Sequence, residues 1–188
     1  VYPYKLSSTS TIYLIDTPGF DDTNRSDTEV LHAIATWLGD SYRNKILLHG
    51  IIYLHRITDI RMQGSAKRNL ITFKQLCGQE ALQKVVLATN MWNKVASDEG
   101  DRREKELKER PEFWGYMINK GSSCYRLDNT ATTARKLIHM LAKRDEPMAV
   151  EIQKQLVDQQ LKLIDTSAGK HIHSELVKER ERWEQERK

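Results

Sequence analysis

The stretch TIYLIDTPG, Thr11 to Gly19, ends in an aspartate, a threonine, a proline and a glycine. The residues before them are apolar and β-rich, so Asp16 stands at the tip of a short buried strand. A carboxylate fixed there can hold Mg²⁺, usually through water. Gly19, three residues on, lets a backbone N–H approach a terminal phosphate oxygen without interference from a Cβ. Thr17 lies between the two. This D-x-x-G spacing also suits an ordinary turn, so its weight depends on what the other strand ends carry. After the apolar VVLA of residues 85–88 come Thr89, Asn90, Met91, Trp92, Asn93 and Lys94. After CYRLD, residues 124–128, come Asn129 and Thr130. Ligands of an open α/β sheet sit at the carboxyl ends of its strands, and these two loops are where a flat polar group such as a nucleotide base would be read.

The elements that must hold those residues follow from periodicity. Continuous apolar runs predict buried strands over 12–15, 46–57 and 85–88, with a weaker strand over 124–128. Between them, apolar stripes at helical spacing predict helices over 27–42, capped by Ser26 or Asp27, and over 66–77, with Gly78 at the C-cap. A charge-rich helix over 101–110 should stop at Pro111, and another helix covers 133–143. Strand and helix alternate, so the expected fold is α/β: a doubly wound, mainly parallel sheet with helices on both faces. Residues 1–144 form this domain, and 145–188 read as a polar helical extension. There Val150, Val157 and Ile164 recur at seven residues, as do Leu161 and Ala168, a thin seam that suits packing back on the domain or a coiled coil with another helix.

Composition narrows the class. The chain has 188 residues, 39% hydrophobic and 30% charged, with a net charge of +4. That is enough for one core with an appendage, and it fits neither a disordered nor a membrane protein. No apolar run approaches a membrane span and no signal peptide opens the chain. Basic residues are interleaved with acidic ones, with no arginine–aromatic patch for nucleic acid. Cys77 and Cys124 are far apart and without ligand spacing, as expected of thiols in a reducing, cytoplasmic compartment.

As an ordered set, DTPGFDD, ATNMWNK and RLDNT resemble the third, fourth and fifth motifs of the P-loop GTPases. The likeness is closest to the septin, immunity-associated and chloroplast-import branch. Within it, the chain resembles fungal G-domain proteins whose strand ends read TTMW and FDNT and whose middle strand is followed by HRI-D-R, here His55, Arg56, Ile57, Asp59 and Arg61. The resemblance covers residues 1–145. It implies GTP as ligand, Mg²⁺ as its metal and GTP hydrolysis as the family activity. It matches Asp16 to the Mg²⁺-associated aspartate, Gly19 to the γ-phosphate glycine and Thr89 to the first position of the base motif. Phe20–Asp27 would be the mobile switch II.

Two departures bear on those implications. Asn90 stands in place of the base motif's lysine, and Trp92 in place of the aspartate that accepts from guanine N1 and N2. Indole has no acceptor, although its ring could stack on a base, and Asn129 could make base contacts instead. The phosphate loop G-x-x-x-x-G-K-[ST] is absent, and Gly169-Lys170 in the tail is no substitute. The chain is therefore expected to be a G domain lacking its first strand, phosphate loop and switch I. Two arrangements are open at that gap: direct pairing of 12–15 with 51–54, or a slot roughly 10 Å wide. No glutamine follows Gly19 to orient water, so no catalytic residue is assigned and hydrolysis stays open. The other functional reading is a nucleotide-free interaction module that oligomerises through its G-domain surface and 145–188.

The remaining polar residues have structural readings. His55 and Arg56 stand at a strand tip, where they could face a ligand or serve the structure of the following loop, and His49 belongs to the strand's core or face. His171 and His173 point to different sides of a helix, which disfavours a shared metal. Asp21, Asp22 and Asp27 are loop and helix-entry carboxylates.

Overall fold

The structure is a computed structural model that describes residues 1–20, 23–60, 62, 64–144 and 146–187. Asp21, Asp22 and Arg61 lie outside the described residues. The chain divides into two compact units, each discontinuous in sequence. The first comprises Val1–Thr17, Leu47–Gln63 and Glu80–Met148; the second comprises Pro18–Ile46, Gly64–Gln79 and Ala149–Lys188.

The first unit holds a parallel sheet of β3 (Ile51–Arg56), β4 (Val85–Asn90) and β5 (Ser123–Arg126), in the order β3-β4-β5. Ile51 pairs with Val85 and His55 with Thr89, while Thr89 pairs on its other side with Arg126. β4 is central, and Val85, Val86, Leu87 and Ala88 are all fully buried, which is why its sequence is unbroken by polar residues. On one face Val86 and Ala88 meet Leu137 of helix α5 (Ala131–Ala142), with Ile52, Tyr125 and Leu141 packed around them. Strand side chains alternate, so His55 points to the opposite face, where its ring meets Trp114 edge-on at 5.9 Å. The fold is thus α/β, a partial doubly wound arrangement of parallel strands and helices.

Helix α3 (Ser97–Glu109) follows β4 and ends before Pro111, as Pro111 dictates. A π turn over Pro111–Gly115 and the short helix α4 (Tyr116–Asn119) then lead to β5. The strand expected over 46–57 begins only at Ile51. Before it Lys45 turns with φ 60°, and Leu48 makes a single antiparallel bridge to Met148. His49 is exposed in that segment rather than within a strand.

The strand leading to Asp16 does not join the parallel sheet as expected. β2 (Thr11–Leu14) pairs antiparallel with β1 (Tyr2–Lys5), in the register Tyr2↔Leu14 to Lys5↔Thr11. Sequence reading missed β1 because it is four residues with a proline. Pro3 is tolerated in a two-stranded ribbon because each strand is an edge. Among the described residues no ladder joins β2 to β3, so direct pairing of 12–15 with 51–54 is not observed.

The second unit is helical. α1 (Asp27–Arg43) starts in a capping box: Ser26 Oγ accepts from Glu29 N–H at 3.3 Å, and Glu29 accepts from Ser26 N–H at 2.8 Å. That backbone bond, with the Ser26 hydroxyl, holds the Glu29 carboxyl below its ordinary pKa. α2 (Ser65–Cys77) ends at Gly78, whose φ of +74° favours glycine and whose Cβ would lie 2.5 Å from that of Glu151. The tail is not one continuous helix. It runs as α6 (Glu151–Gln153), a π turn (Lys154–Asp158), a turn with Gln160 at φ 54°, a 3-10 turn (Leu163–Asp165) and α7 (Ser167–Glu186). The seven-residue recurrence of Val150, Val157 and Ile164 therefore makes no single stripe. Val150 is fully buried and Ile164 is 55% exposed. Buried Gln153 ties this segment to α1: its Nε2 donates to Leu38 O at 2.9 Å and its Oε1 accepts from Val150 N–H at 2.9 Å.

Candidate functional site

The carboxyl ends of β4 and β5 bring the two expected base-reading loops together. Leu127 N–H donates to Thr89 O at 2.8 Å, which carries the ladder one residue past the end of β5. Beyond it Asp128 turns inward on its own loop. Its carboxylate accepts from Thr130 N–H at 3.0 Å and from the hydroxyls of Thr130 and Thr133. The Thr130 hydroxyl, then Thr133 and the Thr130 backbone, keep this carboxyl below its usual range. Thr130 in turn caps α5 by accepting from Thr133 N–H. Between these anchors Asn129 is exposed and left-handed, at φ 62°.

On the β4 side Thr89 is fully buried, and its hydroxyl accepts from Trp92 Nε1–H at 3.0 Å. Met91 makes the turn with φ 62°. Asn90 Oδ1 is buried with no hydrogen-bond partner among the described residues. Buried acceptors are rarely left open, and this one stands at the carboxyl end of β4.

Trp92 is not free to stack on a base. The Arg126 guanidinium lies 4.1 Å above its ring centre. The ring also rests so close to α3 that a Cβ on Gly100 would lie 2.7 Å from it. Arg126 is held in turn by Glu104, through Nε to Oε1 at 3.0 Å and Nη2 to Oε2 at 2.6 Å, and by Asp101 at 2.9 Å. Lys108 Nζ reaches Glu104 at 2.8 Å. Burial pushes the Glu104 carboxyl upward, but the hydrogen bonds and charges of Arg126 and Lys108 more than offset this and leave it below its ordinary value. Sequence reading missed Gly100, Glu104 and Arg126. Within a helix as charged as α3, Glu104 looks solvated, yet it is 4% exposed. The available signal was a glycine inside a helix, which asks for a close neighbour.

Asp16 and Thr17 follow β2 in the hairpin of the first unit, and both are exposed. Gly19 is exposed and belongs to the second unit. Its φ is not positive and nothing lies within 4 Å of where its Cβ would be, so neither backbone nor packing requires glycine there. Among the described residues no three His, Cys, Asp or Glu side chains gather as metal ligands. A single carboxylate such as Asp16 suits Mg²⁺ only where phosphate oxygens and water complete the shell. His55 is buried, and with Asp59, Arg103 and Phe113 it lines a small hollow at the end of β3. Arg103 fixes that end of the strand by donating to Ile57 O at 2.9 Å and Thr58 O at 3.0 Å.

No protein-family model matches the sequence, and a comparison with curated proteins finds none similar to it. Among the described residues no helix is long and apolar enough to cross a membrane.

Proposed function

We propose that the chain is a guanine-nucleotide-binding protein of the G-domain type, with the loops after β4 and β5 forming the base side of its site. The observation that carries this reading is the joining of those loops at the sheet's carboxyl edge, through the Leu127–Thr89 bond, beside the open acceptor of Asn90. Thr89 and Asn129 position the loops. Asp16 holds Mg²⁺ through water once a phosphate is bound, with Thr17 beside it. Gly19 takes the γ-phosphate role by resemblance, and the absence of any structural demand for a glycine there supports it. GTP hydrolysis is the family's reaction, and no residue of this chain is assigned to it. The sequence has no G-x-x-x-x-G-K-[ST]. Each charge-assisted phosphate bond such a loop makes is worth about 1.5–3 kcal/mol, so this chain is expected to bind nucleotides weakly.

Amide NMR spectra of the chain titrated with guanosine and with GTP test this. Millimolar guanosine should shift the amides of 89–94 and 128–130, and adenosine should shift them less. Equal shifts with adenosine, or no response of either loop to guanosine in the wild type and in variants lacking the Arg126 guanidinium, would overturn the reading.

A second reading, an interaction module working through the tail, is favoured by one observation. The far half of α7 leaves Leu176 51%, Val177 42% and Trp183 62% exposed, and such residues suit another helix, from a second copy or a helical partner. A cytoplasmic setting fits both readings, because Cys77 and Cys124 are free thiols, one buried and one half-buried.

A further inference from the structure

We propose that Arg126 is an internal plug, its guanidinium holding the place between Trp92 and Glu104 that the N1–N2 edge of a guanine base would take. The inference rests on the base-side reading above and adds to it both the missing acceptor and a control on entry. Arg126 presents a planar, delocalised group with two parallel N–H donors to the two oxygens of Glu104, at 3.0 and 2.6 Å, while its plane lies against an indole at 4.1 Å. Guanine offers the same features: N1–H and an exocyclic N2–H point the same way from one edge of a flat ring that stacks on aromatic surfaces. The carboxylate that Trp92 cannot supply is thus provided by Glu104 of α3.

The two sides of this place have partners other than the plug. Lys108 holds Glu104 from the other side at 2.8 Å, and Thr89 fixes the indole through Nε1–H. Arg126 has a way out to solvent, since its side chain is 49% exposed and sits at the end of an edge strand. The arrangement is also selective. Adenine would place a bare N1 acceptor against the Glu104 carboxylate, and hypoxanthine would keep only one of the two donors.

The test uses the full chain with Arg126→Ala and Arg126→Met, the second preserving the stem over the ring. Folding is checked by far-ultraviolet circular dichroism. Binding of guanosine, inosine and adenosine is followed through the Trp92 indole N–H resonance. Removing an intramolecular competitor should tighten guanosine binding at least about tenfold over the wild type. Inosine should bind more weakly than guanosine, adenosine should not respond, and guanidinium ion should compete with guanosine. Adding Glu104→Gln to either variant should abolish the gain. Folded variants that bind guanosine no more tightly than the wild type, or that take adenosine equally well, overturn the plug. If the wild type still shows guanosine shifts at 89–94 and 128–130, the base-side reading survives that failure. Silence of the wild type and of both variants overturns the two together.

Discussion

His55 shows how much one side chain's surroundings decide. It is 8% exposed, against Trp114, with Asp59, Arg56, Arg103 and Glu106 as the charged groups near it. Burial pushes its pKa below the ordinary 6.5, while Asp59 pulls the other way and Arg56 adds to the depression. The unfolded chain therefore takes up this proton at higher pH than the folded one. Stability is full above pH 6.5 and declines as pH falls from there towards the lower, folded value, with a slope of at most about 1.4 kcal/mol per pH unit. Urea melts from about pH 7 to about pH 5 should show that decline, and His55→Phe, which keeps an aromatic partner for Trp114, should flatten it. An unchanged slope in the variant would assign the effect to other groups. At this scale the sequence was legible for single positions and opaque for pairs. Thr89 and Asn129 lie where strand ends put them. The Arg126–Glu104 pair joins a strand to a helix 22 residues apart, and no local pattern announces such a partnership.

Elements were easiest to read where packing repeats. α1 begins within a residue of its expected start because Ser26, Glu29 and the apolar stripe agree. β4 declared itself by its unbroken apolar run. The failures came where a break matters more than a period. Pro3 disguised β1, and spacing in the tail could not reveal the turn at Gln160 or the stop before α7. Gly169 marks that second break. Thr166 Oγ1 accepts from its N–H at 3.1 Å and donates to Leu163 O at 2.6 Å. This draws the helix start so close that a Cβ on Gly169 would lie 1.9 Å from Leu163 O. Gly169→Ala should therefore destabilise the chain by about 1–3 kcal/mol through backbone displacement, against a helix-propensity gain of under about 1 kcal/mol. Gly19→Ala, with open space around it, should stay within about 0.5 kcal/mol of the wild type. Urea denaturation of both variants checks the contrast, and equal effects would contradict the close approach at Gly169.

For the whole molecule, composition and alternation of elements were sufficient for the α/β class, but not for the partition of the chain into units. Sequence order cannot show that α1 and α2 share a unit with the tail. The exposed stripe on α7 belongs to this scale as well. Leu176 and Trp183 are seven positions apart on one helix, the spacing of a two-helix seam. If a second copy covers it, sedimentation equilibrium should find a reversible dimer, and Trp183→Glu should weaken it at least about tenfold. A wild-type chain that is monomeric at every concentration would rule out self-association through α7. The partition has a further consequence, for synthesis on the ribosome. The chain passes between the units at 17/18, 46/47, 63/64, 79/80 and 148/149. α1 and α2 emerge first, yet Ile152, Gln153, Ala168 and Ile172 of the same unit, all buried, lie well over seventy residues beyond the end of α2's first turn. Neither helix can complete its core until residues 152–172 have been made. The nascent chain must carry Val30, Leu31 and Leu70 without those partners until then, and a factor that shields apolar segments during that interval would govern how much of it reaches the folded state.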